Sequence, residues 1–222
     1  YGKTVHSAAR YNVPGRIVID RSNSFLLGEA TMEGLWDLVS RSYKPMQELA
    51  WGSIGNVLTS IEVRKAYLED GILTPWKNWE GEQPKKAETL HAADRCGFIF
   101  SPKPSVYENV YECDFASLFP NIMVKKNISP ETVCCSCCDN DDVPELDYSI
   151  CKRQRGFISE VLEPLVADRQ HMKNIVDSME GREKRTVQGS IDAIKWLLVS
   201  CFGYMGHAHA SYGAIKCHQA IQ

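Results

Sequence analysis

Residues 114–123 are Asp-Phe-Ala-Ser-Leu-Phe-Pro-Asn-Ile-Met. Before them, residues 106–115 carry the β-formers Val106, Val110 and Tyr111 and read as a strand. Pro102 and Pro104 separate it from a second strand at 97–100. After them, a short helix is expected from 118 to 126. Asp114 therefore stands at a strand end, next to a turn into a helix. Such a carboxylate suits Mg2+, which takes one or two carboxylates together with substrate phosphates. The backbone N–H groups at the helix start suit phosphate oxygens. For a lone aspartate the simpler reading is a helix cap.

Downstream, residues 157–179 place Ile158, Val161, Leu162, Leu165, Met172, Val176 and Met179 on one helical stripe. Arg169 and Lys173 are four apart and share a face. Residues 181–189 read as a charged turn. A second helix follows over 190–202, with Ile191, Ile194 and Leu198 inward, stopped by Gly203 and Gly206. Lys195, Val199 and Phe202 recur at i, i+4 and i+7. Two antiparallel helices would aim Arg169, Lys173 and Lys195 at one point. A cluster of cations with a metal is what transfer of a triphosphate needs. Taken singly, each cation reads as a solvated edge.

Upstream, residues 16–20 suit a short strand. Met32, Leu35, Trp36 and Val39 give a helix over 32–40, and a helical spacing runs through 44–69. Residues 74–86 read as a loop rich in Pro, Gly and charge. The 222 residues are 44% apolar and 24% charged, which excludes disorder, collagen and coiled coil. No apolar run is long enough for a bilayer, so no membrane partner is expected. The net charge of −3 excludes a uniformly basic nucleic-acid coat but allows a local basic groove.

Five of the nine cysteines, Cys134, Cys135, Cys137, Cys138 and Cys151, lie in one tract. An odd, clustered set points to a reducing cytoplasm. Overlapping Cys-x-x-Cys pairs suit tetrahedral Zn2+; free or redox-labile thiols are the alternative. Residues 129–148 read as a loop, with Asp139, Asp141 and Asp142 a solvated acidic stretch.

Residues 43–222 resemble family B DNA polymerases. The stretch Asp114 to Met123 is similar to their motif A. "RGFISEVLEPLVADRQHMK", Arg155 to Lys173, resembles the first fingers helix, and "KWLLVSCFGYMG", Lys195 to Gly206, resembles motif B. "IEVRKAYLEDGILTPWKN", from Ile61, and "ADRCGFIFSPKPSVYENVYECDF", ending at Phe115, resemble the segments leading into the palm. "NISPETV" is most similar to a divergent archaeal branch. The resemblance implies an α/β (α+β) fold with an antiparallel palm sheet backed by helices and a helical-hairpin fingers element. It implies an exonuclease-side remnant or N-terminal strap over 1–42 and palm over 43–128. Fingers over 129–202 and a return to the palm over 203–222 complete the division.

It also implies template-directed deoxynucleotidyl transfer from a dNTP to the 3′-hydroxyl of primer–template DNA, in a prokaryotic, nucleoid-associated setting. Asp114 and Lys195 would be the catalytic residues, and Asp114 with the Phe115 backbone would hold Mg2+. Ser117, Leu118 and Phe119 would line the triphosphate, Phe119 keeping a ring against the ribose 2′-hydroxyl. Arg169, Lys173 and Lys195 would grip it, and Phe202 and Gly203 would lie under the nascent base pair. Val199 and Phe202 depart from the family's Asn and Tyr, His209 and Ser211 from frequent Arg, and Cys96-Gly97 from a Gly pair. No exonuclease carboxylate motif is found in 1–42, so no proofreading is expected. No Asp-Thr-Asp of motif C occurs. The chain thus reads as a fragment, inactive alone, of a longer polymerase. The alternatives are a split polymerase, completed by a second polypeptide with motif C and thumb, and an inactivated homologue that binds DNA or assembles complexes. A small zinc module would leave the ordered motifs unexplained.

Overall fold

The computed structural model describes residues 10–22, 24–72, 84–94, 97, 99–138, 141–207 and 209–222. Most of the expected 74–86 loop, together with Cys96 and Asp139, lies outside them. Eight α-helices are described: α1 Phe25–Ser42, α2 Met46–Trp51, α3 Ile54–Arg64, α4 Ala87–Ala93, α5 Leu118–Lys125, α6 Phe157–Ile175, α7 Gly181–Met205 and α8 Ile215–Ile221. A π turn, Lys65–Glu69, extends α3, and a 3-10 turn, Val176–Ser178, extends α6. The one described sheet is small and antiparallel: β1 Asp141–Asp142 pairs with β2 Ser149–Ile150. The architecture is mixed and helix-dominated. None of these helices is long and apolar enough to cross a membrane.

α7 is the spine. Its buried side chains Ile191, Ile194, Leu197, Leu198 and Cys201 face α1, α3, α5 and α6. α1 crosses α7 where two glycines meet. A Cβ added to Gly34 would stand 2.5 Å from the Gly189 carbonyl oxygen, so only glycine allows this approach. That contact explains why residues 181–189 are helix and not the expected turn. Arg182, Glu183, Lys184, Arg185 and Gln188 are good helix formers, and Gly189 serves the crossing. α1 also starts earlier than expected, at Phe25, capped by the Ser24 side chain. It breaks at Thr31 (φ 60°, ψ −177°), so the expected 32–40 helix is its second arm. The spacing over 44–69 is likewise divided, at extended Gly52.

The strands expected at 16–20, 97–100 and 106–115 do not form. Ile99, Phe100, Val106, Val110 and Tyr111 are each at least 73% exposed. A strand needs a neighbour to receive its backbone hydrogen bonds, and among the described residues no strand is formed over these stretches. At 16–20 a side chain takes the neighbour's part: the Gln47 amide accepts from Val18 N–H (2.6 Å) and donates to Val18 C=O (2.7 Å).

The 129–148 stretch is more ordered than a loop. Val133 bridges Ile150, Cys134 N–H donates to Ser149 C=O (2.7 Å), and Cys151 N–H donates to Thr132 C=O (2.8 Å). Its first turn caps α6. Gly156, at the helix start, has no side chain to do so. Asn127 Oδ1 accepts from Gly156 N–H (2.7 Å), a Glu131 carboxylate oxygen from Phe157 N–H, and Ser129 Oγ from Ile158 N–H (3.1 Å). Thr132 Oγ1 donates to Asn127 C=O (2.6 Å) and accepts from Ser129 N–H (2.9 Å). Ser129 and Thr132 are fully buried, yet satisfied. A Cβ on Gly156 would lie 2.6 Å from Ser129 Cβ.

Two predictions follow from this packing. Thr132→Val keeps the shape of the turn but leaves the Ser129 N–H and the Asn127 C=O without their partner. It should lower unfolding stability by about 1–3 kcal/mol, read from urea titration at unchanged m. An unchanged midpoint would remove the turn from the fold's determinants. Glu62 is buried on α3 with no ion-pair partner among the described residues, and burial pushes its carboxyl from 4.5 up to about 8. Between those values the folded chain holds a proton that the unfolded chain lacks, so stability falls as pH rises and levels off above about 8. Glu62→Gln should flatten this slope, its advantage over the parent growing from about pH 5 to about pH 8. Parallel curves would contradict the burial effect.

Candidate functional site

The Asp114 stretch ends in a tight turn. Phe115 N–H donates to Asp114 Oδ1 (2.8 Å), and Asp114 and Phe115 are exposed. Ser117 starts α5 from the left-handed region (φ 48°, ψ 54°), uncommon for a residue with a side chain. Asn121, one turn into α5, holds it there. Its amide nitrogen donates to Ala116 C=O (2.8 Å) and Ser117 C=O (3.2 Å).

Arg169 reaches this turn from α6. Its Nη1 donates to Ser117 Oγ (3.5 Å) and its Nε to Ile191 C=O on α7 (3.3 Å). Three elements thus meet at one guanidinium. Burial pulls the Arg169 pKa down somewhat, opposed by the charge of Asp192. Lys173 stands one turn further along α6, exposed; Lys195 stands one turn along α7 from Ile191, also exposed. Among the described residues none of Arg169, Lys173 and Lys195 forms an ion pair. Arg41 and Lys65, by contrast, are paired with Asp168 and Glu160 (2.8 and 2.9 Å). Lys195 Nζ lies 5.7 Å from the Trp196 ring centroid.

Beside the turn, Phe119 stacks on Phe202 (4.3 Å between centroids, 28° between planes), and Phe202 stacks on His218 (4.2 Å, 17°). His218 Nδ1 lies 3.2 Å from the Phe202 carbonyl oxygen. Leu118 and Val199 are open to solvent, and Gly203 has free space where a Cβ would be. The structure therefore brings together Ser117, Phe119, Arg169 and Phe202. It forms no direct bond from Asp114 to Lys173 or Lys195 among the described residues. Asn121 and His218 are additions to the expected set. An amide four residues after Ser117 is a readable turn-holder. His218 gives no local signal, because its partner is 16 residues away.

Four of the five tract cysteines converge. The sulfurs of Cys135, Cys137, Cys138 and Cys151 all lie within 4.8 Å of one another. Cys134 is not among them; its backbone is left-handed (φ 58°) and its N–H serves the bridge to Ser149. The backbone N–H of Gln154, helped by that of Arg153, holds the Cys151 thiol down to about 6. Hydrogen bonds from Cys135 and Cys151 push Cys137 up to about 12.

The sequence model of DNA polymerase family B matches residues 59–221. DNA polymerase 2 of Saccharolobus solfataricus is 33% identical over 206 residues, covering 93% of this chain and 30% of that protein. A DNA polymerase of Thermococcus gorgonarius is 30% identical over 228 residues, covering 99% of this chain and 27% of its own length. The solved family B DNA polymerase of the hyperthermophilic archaeon Pyrobaculum calidifontis superposes with a TM-score of 0.64 at 27% identity, covering 86% of this chain and 25% of that one. The chain thus spans under a third of the length of these relatives. With most of its residues inside the matched range, and the turn at Asp114, α6 and α7 all lying within it, this chain belongs to DNA polymerase family B.

Proposed function

We propose that these residues form the palm–fingers part of a template-directed DNA polymerase, which transfers a deoxynucleotidyl group from a dNTP to a primer 3′-hydroxyl with release of pyrophosphate. One observation carries the reading: Arg169 of α6 bonds both the Ser117 turn and the α7 backbone, so three motif-bearing segments share one cationic point. α6 and α7 up to residue 202 are the fingers hairpin, within 129–202; the end of α7 passes into 203–222, and α5 and α8 flank the hairpin on the palm side, within 43–128 and 203–222. The 1–42 segment adds a strap, with α1 clamped along α7.

Unpaired cations on adjoining helix turns are suited to a triphosphate, whose charge they would offset as it shifts toward the leaving pyrophosphate. In this reading Arg169, Lys173 and Lys195 grip the phosphates. The Ser117–Phe119 turn lines them, and the Phe119–Phe202 stack carries the sugar and nascent pair with Gly203. Asp114 fits Mg2+: it is exposed, and one oxygen is oriented by the Phe115 N–H. Such a hard oxygen donor, joined by the Phe115 backbone, is the set this ion takes. Bound Mg2+ supplies activation of the hydroxyl and neutralisation of the triphosphate. A two-metal site takes a second aspartate, and no Asp-Thr-Asp occurs among these residues. Primer–template DNA and dNTP are the partners, in the nucleoid of a prokaryotic cytoplasm.

In the full polymerase containing these residues, Asp114→Ala should reduce primer extension by at least about 10²–10³-fold while DNA affinity stays close to wild type. Substantial extension by the variant would contradict the metal role. Lys195→Ala should lower kcat/KM for dNTP about tenfold to a hundredfold, from loss of a charge-assisted contact. An unchanged dNTP dependence would take Lys195 out of the site.

A further inference from the structure

We propose that Cys135, Cys137, Cys138 and Cys151 bind one structural zinc ion as four thiolates, and that this ion staples the 132–151 hairpin beneath the start of α6. The proposal does not depend on the polymerase reading.

The distances carry the argument. Zinc bound by four thiolates at 2.3 Å sets its sulfurs at the corners of a tetrahedron with edges of about 3.8 Å. The sulfurs lie 3.4 Å (Cys135 to Cys137), 3.9 Å (Cys135 to Cys138), 3.8 Å (Cys137 to Cys138), 3.5 Å (Cys137 to Cys151) and 3.6 Å (Cys138 to Cys151) apart. Each of these five edges is within about 0.4 Å of that figure, and the sixth, from Cys135 to Cys151, is at most 4.8 Å. A disulfide would draw two sulfurs to about 2.0 Å and leave the others no reason to converge. Thiols are weak hydrogen-bond partners, so S–H···S contacts alone are a poor cause for gathering four. A [4Fe–4S] cluster would place each thiolate on a separate iron, and a [2Fe–2S] cluster would split them two and two, so either would spread sulfurs apart across the cluster. Four soft sulfurs in tetrahedral array, with no histidine or carboxylate among them, suit zinc.

The frame around them is built. Three ligands come from the 135–138 loop and the fourth from the end of β2. The two segments are already tied by Cys134 N–H to Ser149 C=O and by Cys151 N–H to Thr132 C=O. Cys151 is 3% exposed, while Cys137 faces solvent, so an ion can enter from one side. The Cys151 carbonyl accepts from Asn127 Nδ2 (3.2 Å), the same side chain that caps Gly156. The ion is thereby one residue from the turn that fixes α6. Outside it, Lys152 pairs with Asp141 (2.6 Å) across the hairpin.

The test is metal analysis of the full chain, purified without oxygen or chelators. One zinc per chain is expected. Cys137→Ser, an exposed change, and Cys151→Ser should both bring this near zero, whereas Cys134→Ser should keep it at one. Cobalt replacing zinc should give the intense visible absorption of a tetrahedral tetrathiolate, and the zinc absorption edge should fit four sulfurs. Stripping the ion under reducing conditions should lower the melting temperature of the parent and of Cys134→Ser, but not of Cys137→Ser. No bound metal, a Cys-to-Cys disulfide in the intact mass, iron in place of zinc, or zinc that survives Cys137→Ser would each overturn the proposal.

Discussion

The arrangement rests on the capping of α6 by a turn outside it. A helix start leaves backbone N–H groups without partners inside the helix, and Gly156 brings no side chain to meet them. Asn127, Ser129 and Glu131 meet three in succession. Asn127 can do so because its own backbone is left-handed (φ 58°), which reverses the chain straight after α5. Arg155 Nη1 then donates to Val124 C=O (2.9 Å), and Ser159 Oγ donates to Met123 C=O (2.9 Å), which also accepts from Ile128 N–H (2.9 Å). One short turn therefore fixes where α5 stops, where α6 starts and the angle between them.

That angle decides whether Arg169 can reach Ser117. Arg169 is 13 residues into α6, about 20 Å along its axis at 1.5 Å per residue. A small error in the helix's starting direction becomes a displacement of several ångströms at the guanidinium. The contact to Ser117 Oγ is long, at 3.5 Å, so little slack exists. The second bond, to Ile191 C=O, holds the arginine against α7 and limits the positions it can take. Shape at the base of α6 and charge at the site are the same constraint seen at two ends of one helix.

What was legible in the sequence was local. The α5 and α6 bounds, the inward residues of α7 and the Arg169, Lys195 and Phe202 placements follow from a period of 3.6 and need no distant partner. The misreadings all depended on a distant one. Val106, Val110 and Tyr111 have strand propensity, but propensity does not supply a neighbouring strand. Residues 181–189 read as a turn because they are charged and polar; the close approach of Gly189 to Gly34, on another helix, leaves no local signal. Cys134 looked like a ligand by spacing, and its left-handed backbone turned it away. His218 was invisible because stacking on Phe202 leaves no trace in the residues beside it.

α7 shows how one helix serves both ends of this division. Ile191, Ile194, Leu197, Leu198, Cys201 and Met205 are at most 4% exposed and form its packed side. Lys195, Val199 and Gly203 recur every four residues on the other side, with Phe202 at the boundary. The packed side tolerates little change, since each buried side chain is held by several helices. The open side is constrained only by what it meets. Phe202 sits on the edge, stacked between Phe119 and His218. A tyrosine there would need an outlet for its hydroxyl beside these two rings. The phenyl ring fills the stack with no polar atom to satisfy.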